Sequence, residues 1–201
     1  MSQIALPLSA GASGPSRIVV GNANQATLEA MGLADTWPFR TAVLIGPPRC
    51  GKSLIAGWFS GQNAGEAIDD ADRIDETELF HRWNRAQESG TALLLTASSG
   101  WTITLPDLAS RLGAALHLEI GVPDDAMLAD LIALHAEQRG LALGPDNLSY
   151  LAMRCERSHI AVEQLVGVID RLSLERKAAP TLPLLRDALE EVLGPSEPRL
   201  L

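Results

Sequence analysis

Covalent cross-linking has little to work with in this 201-residue chain, which holds two cysteines, Cys50 and Cys155, far apart and without C-x-x-C spacing. Neither a disulfide framework nor a zinc site is expected, and both should be reduced thiols. Aromatic residues make up only 4%. No apolar run approaches the roughly 18–20 residues that a membrane-spanning helix needs, so no membrane association is expected. The opening stretch is a poor secretory signal, because it lacks a basic n-region and Pro7 breaks a short apolar stretch, so none is expected. The cytoplasm is the expected compartment. Positive charge is scarce: 16 Lys and Arg face 25 Asp and Glu, a formal net charge of −9. That balance opposes a sequence-independent duplex-DNA surface, which needs a basic field. No internal repeat is visible at periods of roughly 20–50 residues.

What is present is an ordinary globular composition, 46% hydrophobic and 20% charged, long enough for one domain or a larger one carrying a small one. An apolar octapeptide, MSQIALPL, precedes SAGASGPS at 9–16, which reads as a flexible linker. The octapeptide is thus expected to be tethered rather than packed. RIVV at 17–20 reads as a short strand and ATLEAMGLA as a helix, and TAVLIG at 41–46 has the continuous apolar character of a buried parallel strand. LIAGWFSG and DETELFHRWNRAQES read as helices, EAI before Asp69 as a brief apolar stretch and TALLLTAS at 91–98 as a strand. Such alternation argues for an α/β fold with a parallel sheet. Beyond Pro123 only helical patterns remain, four in number, which predicts a small all-α domain at 123–201 after a base domain at 17–122.

Gly46-Pro47-Pro48-Arg49-Cys50-Gly51-Lys52-Ser53 fits G-x-x-x-x-G-K-[ST], set between a strand and a helix. The glycines let backbone N–H groups curl around phosphate oxygens, Lys52 supplies a point charge, and Ser53 can ligate magnesium. A nucleotide-binding P-loop is therefore expected, with Mg2+ and ADP or ATP. Such a site also needs carboxylates on a neighbouring strand. Asp69 is the candidate for the metal and Asp70 for water positioning, although Asp69, Asp70, Asp72 and Asp75 also fit a solvated helix start. The interval from Ser53 to Asp69 has room for one helix but hardly for a further strand, so the sheet should be reduced.

These residues, with IDDAD, LLLTAS, LPDLASRL at 105–112 and the helical tail, resemble the AAA+ ATPases related to the bacterial replication initiator DnaA, and within them the Hda group. The resemblance implies an AAA+ base with a helical lid. It implies that Arg111 is an arginine finger acting in trans, a role worth ~10³–10⁵ in rate where it operates. It also places Ser98 at the sensor-1 position and Val19 and Val20 against adenine. In place of the sensor-2 arginine stands Ile160, and Arg157, three residues earlier, is the candidate substitute. Weak turnover of the protein's own ATP is expected for that reason. Only eight residues follow Leu193, so no helix-turn-helix domain and no sequence-specific DNA binding are expected.

Relatives in this group carry a Q-x-x-L-P-L peptide that docks on the polymerase sliding clamp, and QIALPL at 3–8 matches it. Gln3 can hydrogen-bond, Leu6 and Leu8 can fill an apolar pocket, and Pro7 lowers the ordering cost. The function implied is negative regulation of replication initiation: a nucleotide-bound protein that holds the clamp and stimulates hydrolysis of DnaA-bound ATP. Self-association into a homo-oligomer stays open. Two alternatives remain, a clamp-bound scaffold without catalysis and an autonomous P-loop phosphotransferase or ATPase. The last requires basic lid residues facing the phosphates, for which Arg139, Arg154, Arg157 and Arg171 are available.

Overall fold

The computed structural model describes residues 6–7 and 17–194. In chain order the elements are β1 (Leu6–Pro7), β2 (Arg17–Ile18), α1 (Gln25–Met31), β3 (Thr41–Gly46), α2 (Lys52–Gly61), β4 (Glu66–Ile68), α3 (Glu76–Ser89), β5 (Leu93–Ser98), α4 (Pro106–Gly113) and β6 (Leu116–Glu119), followed by α5 (Asp125–Gln138), α6 (Pro145–Ala152), α7 (His159–Arg176) and α8 (Leu182–Leu193).

Four strands pair in parallel in the order β4-β5-β3-β6. The two central strands are covered on both faces because successive side chains point to opposite sides. Ala42 and Leu44 of β3 and Leu94 of β5 join one apolar cluster with Ile55 and Phe59 of α2. Val43, Leu93 and Leu95 join a second with Leu79 and Trp83 of α3 and Leu108 and Leu112 of α4. The first cluster continues through Met127, Leu128, Leu165 and Leu185 into the carboxy-terminal helices, so the base and the helical unit share an apolar core.

The sheet is reduced as expected. Between α2 and β4 lie only residues 62–65, and Glu66 N–H donates straight to Ala92 O at 2.8 Å. A Cβ on Gly65 would stand 2.2 Å from Ala92 O. Glycine alone lets the chain turn this closely into β4.

Two expectations differ from the structure. RIVV contributes only Arg17–Ile18 as strand, and it pairs antiparallel with Leu6–Pro7 instead of joining the main sheet. The backbone at 6–7 is thus held against the domain rather than hanging free of it. The edge strand β6 was not foreseen, since Leu-His-Leu-Glu is short and half exposed.

Candidate functional site

The loop after β3 curls because of two residues in left-handed conformation, Arg49 with φ 65° and Gly51 with φ 94°. Arg49 bears a strain that glycine does not. Gly51 caps α2, whose N-terminus, with its unpaired N–H groups and positive dipole end, is suited to anions. Lys52 Nζ donates to Gly46 O at 2.8 Å and Pro47 O at 3.0 Å. A Cβ on Gly46 would lie 2.9 Å from Cys50 Sγ, so this end of the loop is closely packed.

The loop opens on a cavity of about 550 Å³. Its polar floor is Pro48, Arg49, Cys50, Gly51, Lys52 and Ser53, with Asp70 and Ser98 beside them. Ile18 and Val19, with Met127, Leu131 and Leu134 of α5, give the cavity its apolar lining. His135, His159 and Glu163 complete the lid side. Gly46, Pro47 and Val20 are not part of the lining; the first two act through the carbonyls that receive Lys52.

The acidic residues divide between roles. Asp70, with φ 49°, lines the cavity and pairs with Arg73 at 3.2 Å. Asp69 does not line it; its Oδ1 accepts from Thr96 Oγ1 at 2.5 Å, and Thr96 Oγ1 in turn accepts from Asp70 N–H at 3.0 Å. Thr96 is fully buried and so fixes the acidic pair to the neighbouring strand. Asp72 Oδ2 accepts from Ser98 N–H at 3.2 Å. Asp75 is a helix cap, accepting from the N–H groups of Thr77 and Glu78, as the solvated-start reading allowed. Among the described residues no three His, Cys, Asp or Glu side chains group to hold a metal by themselves. Magnesium fits here only as it does in phosphate sites, with Ser53, a carboxylate of the Asp69–Asp70 pair, water and the nucleotide's own phosphates.

Arg157 is not brought to the cavity. Its Nη2 pairs with Asp125 Oδ1 at 2.8 Å, and α7 starts only at His159 behind the Ser158 cap. The helical spacing that would place residue 157 near residue 160 therefore does not apply. Ile160 is 37% exposed. Arg139 and Arg154 donate to carbonyls of their own helical segments, and Arg171 is held by Glu175 and Glu191. None of these four lid arginines lines the cavity.

Sequence reasoning missed three lid residues. Glu163 reaches across to the P-loop, its Oε1 accepting from Arg49 Nη2 at 2.7 Å. His135 and His159 also face the cavity, and burial pushes both imidazoles below the usual histidine range, His159 with help from His135. Helical spacing alone marks residues 127, 131, 134 and 135 as one face, but that face reads as core. Burial likewise raises the Cys50 and Cys155 thiols, Cys155 to about 11, so neither is a ready nucleophile.

Arg111 lies on α4, away from this cavity. Its guanidinium stands 4.8 Å from the Phe80 ring centroid and 4.6 Å from that of Trp83, and Nη1 donates to Asn84 Oδ1 at 3.2 Å. Gln3 and Leu8 fall outside the described residues. Leu6 and Pro7 are placed only as backbone in β1. Among the described residues no helix is long and apolar enough to cross a membrane.

Residues 124–189 match the family described as Hda, lid domain. An uncharacterized protein of Haemophilus influenzae is 30% identical over 121 residues, 57% of this chain and 52% of that protein, so the match spans about half the length of that curated relative. Domain III of the replication initiation protein DnaA from Thermotoga maritima superposes with a TM-score of 0.71 at 16% identity, covering 89% of this chain and 95% of that one. The RuvB Holliday junction branch migration motor of Thermotoga maritima follows at 0.62 and 17%, covering 86% and 70%. A replication initiator DnaA bound to AMPPCP and single-stranded DNA gives 0.60 and 16%, covering 80% and 66%. At such identities these structures establish the fold, and the match to the Hda lid domain covers the carboxy-terminal helical segment, residues 124–189.

Proposed function

We propose that this protein is a nucleotide-bound negative regulator of replication initiation, which holds the sliding clamp through residues 3–8 and stimulates hydrolysis of DnaA-bound ATP through Arg111. The observation that carries the reading is the cavity of about 550 Å³ between a P-loop and a lid of the Hda type. ADP or ATP would lie with its phosphates on Gly51, Lys52 and Ser53 and its nucleoside between Val19 and the α5 face. Magnesium there would supply charge neutralisation to the phosphates. Lys52 and the α2 N-terminus bind and orient, while the apolar walls exclude water.

Weak turnover of the protein's own nucleotide is supported by the lid. Among the described residues it lines the cavity with no arginine, and Asp70, the carboxylate available to position water, is engaged by Arg73. The same geometry disfavours an autonomous phosphotransferase, whose basic lid residues would have to face the phosphates. Clamp engagement would take Leu6–Pro7 out of its pairing with β2.

The test is hydrolysis of DnaA-bound ATP with and without DNA-loaded clamp. We expect stimulation by the wild-type protein only with the clamp. Arg111→Ala should lose it while keeping clamp and nucleotide binding. Undiminished stimulation by Arg111→Ala would remove the finger from the mechanism, and equal activity without the clamp would remove the tail.

A further inference from the structure

Arg49 stands in the middle of the phosphate loop with φ 65°, a left-handed conformation that a residue with a Cβ enters only under strain. Its side chain makes one directed contact. Nη2 donates to Oε1 of Glu163, on the second turn of α7, at 2.7 Å. Among the described residues two ion pairs cross from the base to the helical unit, Arg17–Glu137 and Arg49–Glu163. Only the second has both partners on the cavity lining.

The sign of the charge on each side matters. Among the described residues the helical unit lines the cavity with no arginine and no lysine, and its charged contribution at the phosphate loop is the Glu163 carboxylate. A carboxylate repels phosphate, so Glu163 is suited to the cation of the loop and not to the ligand. Neither Arg49 nor Glu163 has a second ion pair among the described residues, so no substitute contact takes over when this one breaks.

We infer that the Arg49–Glu163 ion pair is a latch that ties the lid to the phosphate loop and gates the passage of nucleotide into and out of the cavity. The inference rests on nucleotide binding at the P-loop. Both partners belong to the chain, so the latch acts on the path of the nucleotide, while Gly51, Lys52 and Ser53 bind its phosphates. It therefore sets how fast nucleotide exchanges more than how tightly it is held. The two side chains are 66% and 34% exposed, and solvent screening limits the effect of such a pair to about twofold to fivefold in a rate.

The experiment mixes the full chain with ADP carrying a fluorescent group in a stopped-flow instrument and then chases it with excess unlabelled ADP. Entry and release rates are read for the wild type, Glu163→Gln, Glu163→Gln with Arg49→Asn, and Lys52→Ala. Glu163→Gln should raise both rates about twofold to fivefold and leave Kd within about twofold of wild type. Asparagine tolerates the left-handed backbone at 49 and is too short to reach residue 163, so it removes the cation without new strain. Adding it to Glu163→Gln should change either rate by less than about twofold, because the shared bond is already lost. Raising the salt from about 0.05 M to 0.5 M should bring the wild-type rates toward those of Glu163→Gln.

Entry and release by Glu163→Gln equal to wild type would overturn the latch. So would a further large rise in release alone on adding Arg49→Asn, which would make Arg49 a ligand of the phosphates. Tight ADP binding by Lys52→Ala, or none by the wild type, would instead show that the P-loop reading itself fails, and the inference with it.

Discussion

The guanidinium of Arg111 sits 4.6 Å from the ring centroid of Trp83, and Trp83 Nε1 in turn donates to Thr41 Oγ1 at 3.1 Å. A residue on α4 is thereby connected through one buried indole to the first residue of β3, the strand that ends in the P-loop. Phe80 offers a second ring and Asn84 a hydrogen bond, so three positions of one α3 face hold the cation. An arginine that acts on another subunit must leave this seat or be presented by it. Leaving sacrifices two cation–π contacts of about 0.5–1 kcal/mol each.

A double-mutant cycle measures the seat directly. Arg111→Ala is expected to lower stability in urea by about 1–2 kcal/mol, from lost stacking and one hydrogen bond. Asn84→Ala should cost less, and the double mutant should fall short of the sum by about 0.5–1 kcal/mol because the two share one bond. Strict additivity would show that the Arg111–Asn84 bond contributes nothing in solution.

Gly65 gives a sharper stability prediction. Its Cβ position lies 2.2 Å from Ala92 O and 2.8 Å from the Phe59 ring, and a backbone carbonyl cannot rotate away as a side chain would. Gly65→Ala should destabilise by about 1–3 kcal/mol through strain in the β4–β5 pairing. Gly61, where an added Cβ meets nothing within 4 Å, is the control and should tolerate alanine with little change. Equal melting temperatures for the two variants would mean that β4 can shift away from Ala92 without cost.

Much of this architecture is legible in the sequence because its signals are local. TAVLIG and LLLTAS are apolar without interruption, which only strands buried on both faces need, and Gly51-Lys52-Ser53 needs a helix start directly behind a strand. The reduced sheet follows from counting residues between Ser53 and Asp69. What escaped is tertiary. Leu116–Glu119 becomes a strand because β3 has an open edge, with Ala42 paired to Leu116, and no propensity in four residues announces that. Thr96 holds Asp69 from a different strand. Glu163 and His159 reach the cavity only once the lid folds against the P-loop. Arg157 misled because it lies one residue before the cap of α7, where spacing along the chain is not spacing along a helix.

Glu76 supplies a pH-dependent prediction. Its carboxylate accepts from Thr104 N–H at 2.9 Å and Thr104 Oγ1 at 2.8 Å, and from Leu105 N–H at 2.5 Å, tying the start of α3 to the residues that lead into α4 and Arg111. These bonds, the Thr104 backbone first, hold the group below the ordinary glutamate value of 4.5. A carboxylate whose folded pKa lies below its unfolded one adds stability above the unfolded pKa and loses it as pH falls through the folded one. Glu76→Gln should therefore be less stable than wild type at pH 7, by a margin that stays level down to about pH 5. The difference should close as the pH drops past the glutamate range and the wild-type carboxylate is protonated. Urea unfolding at a series of pH values reads the two curves, and a gap that persists undiminished at about pH 3 would show that the charge of Glu76 does not tie these two helices together.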